Sequence, residues 1–147
     1  MMERYAIGID LGGTSVKYAV VASSGEVLFN GQLPALAQES AEAVLGQVLK
    51  GVEACREGLT LAGVGIGTPG VVSADGRTVL GGAENIAGWE NVPLADRIEE
   101  AGGLKTLAGN DANMMALGET LFGAAKGATD VVFVTVGTGI GCGVLIG

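Results

Sequence analysis

Asp10-Leu11-Gly12-Gly13-Thr14 sits between two apolar runs, Tyr5 to Ile9 and Val16 to Ala22. A strand that ends in an acid, turns on paired glycines and re-enters a strand leaves few options. It is either a plain β-hairpin with an acidic turn or a hairpin built to hold an anion. Glycine lets the backbone approach an anion closely, and successive N–H groups can point at it. Thr14 can add a hydroxyl. Asp10 would repel a bare phosphate, so in the second case it belongs beside a divalent cation, directly or through water.

A similar element recurs near the other end. Val131 to Val136 is apolar and β-branched, Gly137-Thr138-Gly139-Ile140-Gly141 follows, and Val144 to Ile146 is apolar again. Two such turns suggest two halves gripping one polyphosphate from opposite sides. The segment from Val131 to Gly147 has no charge, but it is short for a membrane helix and holds five glycines and two threonines. It reads as a hairpin.

Between these turns, Glu26–Leu33 completes three consecutive strands. The pattern then switches to helical spacing at Ala41, Val44, Leu45, Val48, Leu49, Val52 and Cys55. Ser40 is placed to cap that helix and Gly58 lies beyond its end. Gly63–Gly67 returns to strand, Thr68 precedes Pro69 and stays extended, and Ser73-Ala74-Asp75-Gly76 is a turn. Pro93 to Ala101 reads as a short helix and Lys105–Ala108 as a fifth strand. Asp111 to Ala124 reads as a helix carrying Met114, Leu117 and Leu121 on one side.

With 27 glycines in 147 residues and few aromatics, the core must rest on Val, Ile, Leu and Ala. The net charge is −8 and the eight Lys and Arg residues stand singly, so nothing forms a basic patch. That argues against nucleic acid and anionic membrane as partners. A bound nucleotide would be held mostly by backbone N–H groups and a metal ion. The chain has no His, so no Ser/His/Asp triad or Cys/His pair can form. Cys55 and Cys142 are expected as core thiols, which suits a reducing cytoplasm. The N-terminus enters a strand almost at once, and no leader is expected.

Two glycine patterns are decoys. Gly65-Ile66-Gly67-Thr68-Pro69-Gly70 fits the dinucleotide spacing but contains Pro and leads into a turn instead of a helix. Gly118 and Gly123 are spaced as in a Walker loop, but Ala124 stands where Lys is needed.

The paired turns resemble the two phosphate loops of the actin-like ATPase and sugar-kinase superfamily. The ordered series Gly65-Ile66-Gly67-Thr68-Pro69-Gly70-Val71, Asn85-Ile86-Ala87-Gly88-Trp89 with Val92-Pro93-Leu94, and Asn110-Asp111-Ala112-Asn113 resembles the ROK family, which comprises bacterial sugar kinases and sugar-responsive repressors. The resemblance implies an α/β actin-like ATPase (ribonuclease H-like) domain, with a mixed five-stranded sheet and helices on both faces. It further implies that residues 1–128 form the N-terminal kinase domain and 129–147 the first strands of a second domain whose remainder is absent.

What the resemblance implies for function is an ATP-dependent, glucokinase-like transfer of the γ-phosphoryl group to a hexose hydroxyl. Asp10 would position Mg2+. Gly12, Gly13, Thr14, Gly137, Thr138 and Gly139 would cradle phosphates. Gly70, Asn85, Asn110 and Asp111 would contact the hexose or amino sugar, with Asp111 as catalytic base. By position alone Asp111 reads first as a helix cap, and Gly70 and Asn85 as a turn glycine and a loop asparagine; the resemblance is what reverses this. Trp89 is expected to be a packing anchor. The family's zinc site is not expected in this chain, and the whole protein is expected to be a homodimer. A sugar-responsive regulator or a non-catalytic sugar-binding domain is the alternative.

Overall fold

A computed structural model describes residues 3–56, 58–137 and 139–147. Three strands open the chain: β1 (Tyr5–Leu11), β2 (Ser15–Ala22) and β3 (Val27–Pro34). Then come α1 (Ala41–Ala54), β4 (Leu61–Thr68), the short strands β5 (Val71–Val72) and β6 (Val79–Gly81), α2 (Leu94–Gly102), β7 (Thr106–Asn110), α3 (Asp111–Phe122), β8 (Val131–Val136) and β9 (Ile140–Leu145). The main sheet has five strands in the order β3-β2-β1-β4-β7. β1 pairs antiparallel with β2 and β2 with β3, while β4 runs parallel to both β1 and β7. This is the expected mixed α/β sheet.

Alternation along the strands gives the sheet two unlike faces. Ile7 and Ile9 of β1 lie beside Val64 and Ile66 of β4, with Val16 and Val20 of β2 next to them. All are buried, and they pack against Val44, Leu45, Val48 and Val52 of α1 and Leu94 and Ile98 of α2. α1 starts where expected, because the Ser40 hydroxyl accepts from the Ala43 N–H at 3.1 Å. Cys55 is buried in this core, and burial pushes its thiol above the usual range, keeping it protonated.

On the opposite face, the same strands present Gly8, Asp10, Gly65, Gly67 and Gly109. The register sets Asp10, Gly67 and Gly109 abreast across β1, β4 and β7. α3 lies on this face. A Cβ at Gly67 would sit 3.5 Å from the Asp111 Cα and 3.7 Å from the Met114 Cβ.

The structure departs from or adds to the sequence reading in three places. Leu117 and Leu121 of α3 are exposed, Met114 is part-exposed but reaches over Gly109 at the sheet, and the buried residues of the helix are Ala112 and Ala116. The reason is the close approach of β9. A Cβ at Gly143 would lie 2.8 Å from both the Ala112 carbonyl and the Ala116 Cβ, so only small residues fit there. Cys142 is exposed instead of buried, because it lies on the outward side of β8–β9 opposite Val134. The hairpin of β5 and β6 is an added element, too short to show as a strand pattern. It is tied into the body by Val79 pairing with Val92 and by the Ala108 N–H donating to the Gly76 carbonyl at 2.9 Å.

β8 and β9 form a separate two-stranded sheet seated on α3. Val132, Val134, Val136, Ile140 and Val144 point away from that seat and are exposed.

Candidate active site

The first loop is a closed turn. The Gly12 N–H donates to the Ser15 carbonyl at 2.9 Å, so that amide is committed within the hairpin. Among the described residues, nothing accepts from the Gly13 or Thr14 N–H, and both residues are exposed. These two amides and the Thr14 hydroxyl are the donors available to an anion.

Asp10, Gly12, Gly13, Thr14, Asp111 and Gly137 share the wall of one cleft of about 1040 Å³. Its floor is the glycine face of the sheet, where Gly8 and Gly65 would meet nothing within 4 Å if they carried a Cβ. α3 and the β8–β9 turn form its far side. Asp10 and Asp111 flank Gly67, one at the end of β1 and one at the start of α3. Such a position, beyond the carboxyl ends of parallel strands, is where α/β sheets bind ligands.

The second loop is brought in only partly. Gly137 lines the cleft, and its N–H closes the turn on the Gly139 carbonyl at 2.9 Å. Gly139 is not among the residues lining the cleft, and Thr138 lies outside the described residues.

The helix cap is Asn110, not Asp111. Asn110 Oδ1 accepts from the N–H groups of Ala112 and Asn113, at 3.1 and 3.3 Å. Its Nδ2 donates to the Gly70 carbonyl at 2.8 Å. Asn110 therefore joins the loop after β4 to the start of α3 and keeps one N–H to offer. Asp111, relieved of capping by Asn110, is the first helical residue. Its Oδ1 accepts from the Ala112 N–H at 2.8 Å.

Gly70 and Asn110 line an adjoining cavity of about 460 Å³ with Ser73, Asn113 and Cys142. Gly70 has φ 92°, and a Cβ there would lie 2.5 Å from the Gly81 carbonyl, so glycine is required on both grounds. Asn85 comes from the loop before Trp89 and lies directly against Gly13. That loop is firmly tied. Trp89 is buried and its Nε1 donates to the buried Thr68 hydroxyl at 2.9 Å, which fits the packing role expected of it. Gln38 Nε2 donates to the Asn85 carbonyl at 3.0 Å, and the Ala87 N–H to the Ala37 carbonyl at 2.7 Å.

Several wall residues were not singled out in the sequence. Lys17 is the cross-strand partner of Asp10 and supplies a positive charge to the cleft. Strand alternation from Asp10 could have found it. Met115 and Thr135 also line the cleft, and no local pattern marks them; Met114, marked only by its helical spacing, lines it too.

The Ser73–Thr78 turn carries a polar knot. Arg77 bonds the carboxylates of Asp96 and Glu99 and donates to the Thr106 carbonyl at 2.8 Å. A bond from the Thr106 N–H, with Arg77 adding to it, holds the Glu99 carboxyl below the usual carboxylate range.

The ROK family profile matches residues 6–147. A glucokinase from Streptomyces coelicolor is 38% identical over 141 residues, covering 96% of this chain and 43% of that protein. A putative xylose repressor from Caldicellulosiruptor sp. is 34% identical over 148 residues, covering 96% of this chain and 36% of that protein. The structure of a ROK family glucokinase from Streptomyces griseus, in complex with glucose and AMPPNP, superposes with a TM-score of 0.90 at 36% identity, over 97% of this chain and 45% of that one. The chain thus spans less than half the length of each of these relatives, and its fold is that of the actin-like ATPases. Because the match runs from the first strand through the last hairpin, the chain belongs to the ROK family.

Proposed function

We propose that this chain is the sugar-binding and phosphate-binding half of an ATP-dependent hexose kinase. The observation that carries this reading is the placing of two carboxylates, Asp10 and Asp111, on either side of Gly67 in a cleft that also holds the free amides of Gly13 and Thr14. Two acids with separate surroundings suit two tasks, one toward a metal and one toward a hydroxyl.

Asp10 is exposed and, among the described residues, makes no hydrogen bond with its side chain. A free carboxylate with room for water suits Mg2+, which keeps several waters and binds through one or two carboxylates. When bound beside Asp10, Mg2+ would neutralise charge on the phosphate oxygens. Gly12, Gly13 and Thr14, with Gly137, Thr138 and Gly139 across the cleft, would line the polyphosphate. Lys17 adds a long cation to that wall.

Asp111 is the proposed base. Phosphoryl transfer is mostly a matter of positioning and charge, and its nucleophile needs a group to orient the hydroxyl and take its proton. Asp111 would accept that proton at a carboxylate oxygen. Asn110 would donate its remaining N–H to a neighbouring sugar hydroxyl, Asn85 would donate and accept at others, and Gly70 allows close approach of the backbone. Residues 1–128 would form one domain, and β8–β9 would open a second that closes over the nucleotide and excludes water. The two free thiols suit a cytoplasmic enzyme.

The similarity to a repressor sustains the second reading, a sugar-responsive regulator. The cleft geometry favours the kinase, since a sugar sensor has no need of Asp10 beside the loop amides. A panel of hexoses and N-acetylated amino sugars with Mg-ATP, read as sugar phosphate formed by the full-length protein, tests the proposal. Sugar-dependent ADP release supports it. Sugar binding with no phosphorylation of any sugar in the panel supports the regulator.

A further inference from the structure

Gly12 and Gly13 look alike in sequence but differ in what surrounds them. Neither has positive φ, so neither is required by backbone conformation. A Cβ at Gly12 would meet only the Ser15 carbonyl, at an ordinary 3.6 Å. A Cβ at Gly13 would lie 2.7 Å from Nδ2 of Asn85, with its Cγ at 3.7 Å and its Cβ at 3.9 Å. That first separation is shorter than real Cβ contacts reach.

Something must give, and the surroundings decide what. The backbone around Asn85 is fixed from both sides by Gln38 and by the Ala87–Ala37 bond, and buried Ile86 and Trp89 anchor the loop below it. The Asn85 side chain is exposed and has no hydrogen bond to a described residue. An added methyl would therefore turn the Asn85 amide away and leave the fold intact.

We infer that Gly13 is a positioning residue for the sugar: its missing side chain seats the Asn85 amide. This rests on the reading of Asn85 as a sugar ligand. The phosphate loop then forms one wall of the sugar site, and the second glycine of the loop serves the acceptor as well as the nucleotide.

The test is a double-mutant cycle in the full-length protein with glucose and Mg-ATP, using Gly13→Ala, Asn85→Ala and both together. Loss or misplacement of one neutral hydrogen bond predicts a rise in glucose KM of about two- to tenfold for Gly13→Ala. Asn85→Ala should raise it as well, and the double variant should rise no further than Asn85→Ala alone. In the same Gly13→Ala protein, the Asn85 side-chain amide resonance should shift, assigned by its loss in Asn85→Ala. If the two effects on glucose KM multiply, or if the Asn85 amide resonance does not move, Gly13 does not act through Asn85 and the inference is wrong. If Asn85→Ala leaves glucose KM unchanged, the sugar reading of Asn85 fails, and the inference fails with it for that separate reason.

Discussion

The two faces of the central sheet are made from the same strands and differ in almost every residue. β1 alternates Ile7, Ile9 and Leu11 with Gly8 and Asp10, and β4 alternates Val64 and Ile66 with Gly65 and Gly67. One face is branched and aliphatic and is sealed by α1 and α2. The other is nearly bare, is crossed by α3, and carries the cleft. The division separates what holds the domain together from what it can bind. A glycine lining buries little apolar surface, so it does little for stability. Its use is to leave room beside Asp10 and Asp111.

The separation can be broken from either side. The largest effect on stability is expected at Ile66. Ile66→Ala removes a fully buried side chain from the sealed face and should cost about 2–5 kcal/mol in urea unfolding. In the folded full-length protein, the glucose and ATP KM values should change little. A large KM change at full folding would show that the faces are not independent.

Gly67→Val acts from the other side. The valine would meet the first turn of α3 and displace Asp111, where a misplacement of about 1 Å can cost on the order of a hundredfold in rate. Overpacking should add about 1–3 kcal/mol of destabilisation. A variant with parental kcat/KM would show that the bare floor is not needed for the chemistry.

Trp89→Phe sharpens the comparison at the point where the sealed core reaches the loop that carries Asn85. It removes the donor to the buried Thr68 hydroxyl and should cost about 1–2 kcal/mol, read as a lowered melting temperature with a raised sugar KM. An unchanged sugar KM would mean that the Trp89 loop packs without positioning Asn85.

The smallest effect is expected from the Arg77 knot. Glu99 has a depressed carboxyl pKa in the folded chain, so its contribution is present above the ordinary carboxylate range and is lost as pH falls through the folded value. Glu99→Gln should lower neutral stability slightly, and the difference from the parent should disappear as pH falls below about 4.3, flattening the acid side of the stability profile. An identical acid slope would remove the knot from the account.

Much of this division was legible in the sequence. The positions of the main strands, the Ser40 cap and the glycine turns follow from alternation and turn chemistry, which act over a few residues. Asp10 and the first loop stood out because the acid and paired glycines are matched by a second glycine turn, while Asp111, which by position alone reads as a helix cap, stood out only through the family resemblance. The inward side of α3 was not legible. Periodicity selects the large side chains Met114, Leu117 and Leu121, whereas the helix turns Ala112 and Ala116 toward Gly141 and Gly143 on a later hairpin. Cys142 went astray for a related reason, since alternation shows that a strand has two sides but not which one is covered. The seat of Asn85 on Gly13 joins residues 72 positions apart, and no local pattern encodes it.

The central claim is that the bare face is a phosphoryl-transfer site with Asp111 as its base. The most direct test is to measure kcat and melting temperature of Asp111→Asn in the full-length protein with glucose and Mg-ATP. The account predicts a kcat lower by about two to four orders of magnitude, with sugar KM and melting temperature close to parental values. Turnover near the parental rate in a folded Asp111→Asn protein would contradict it.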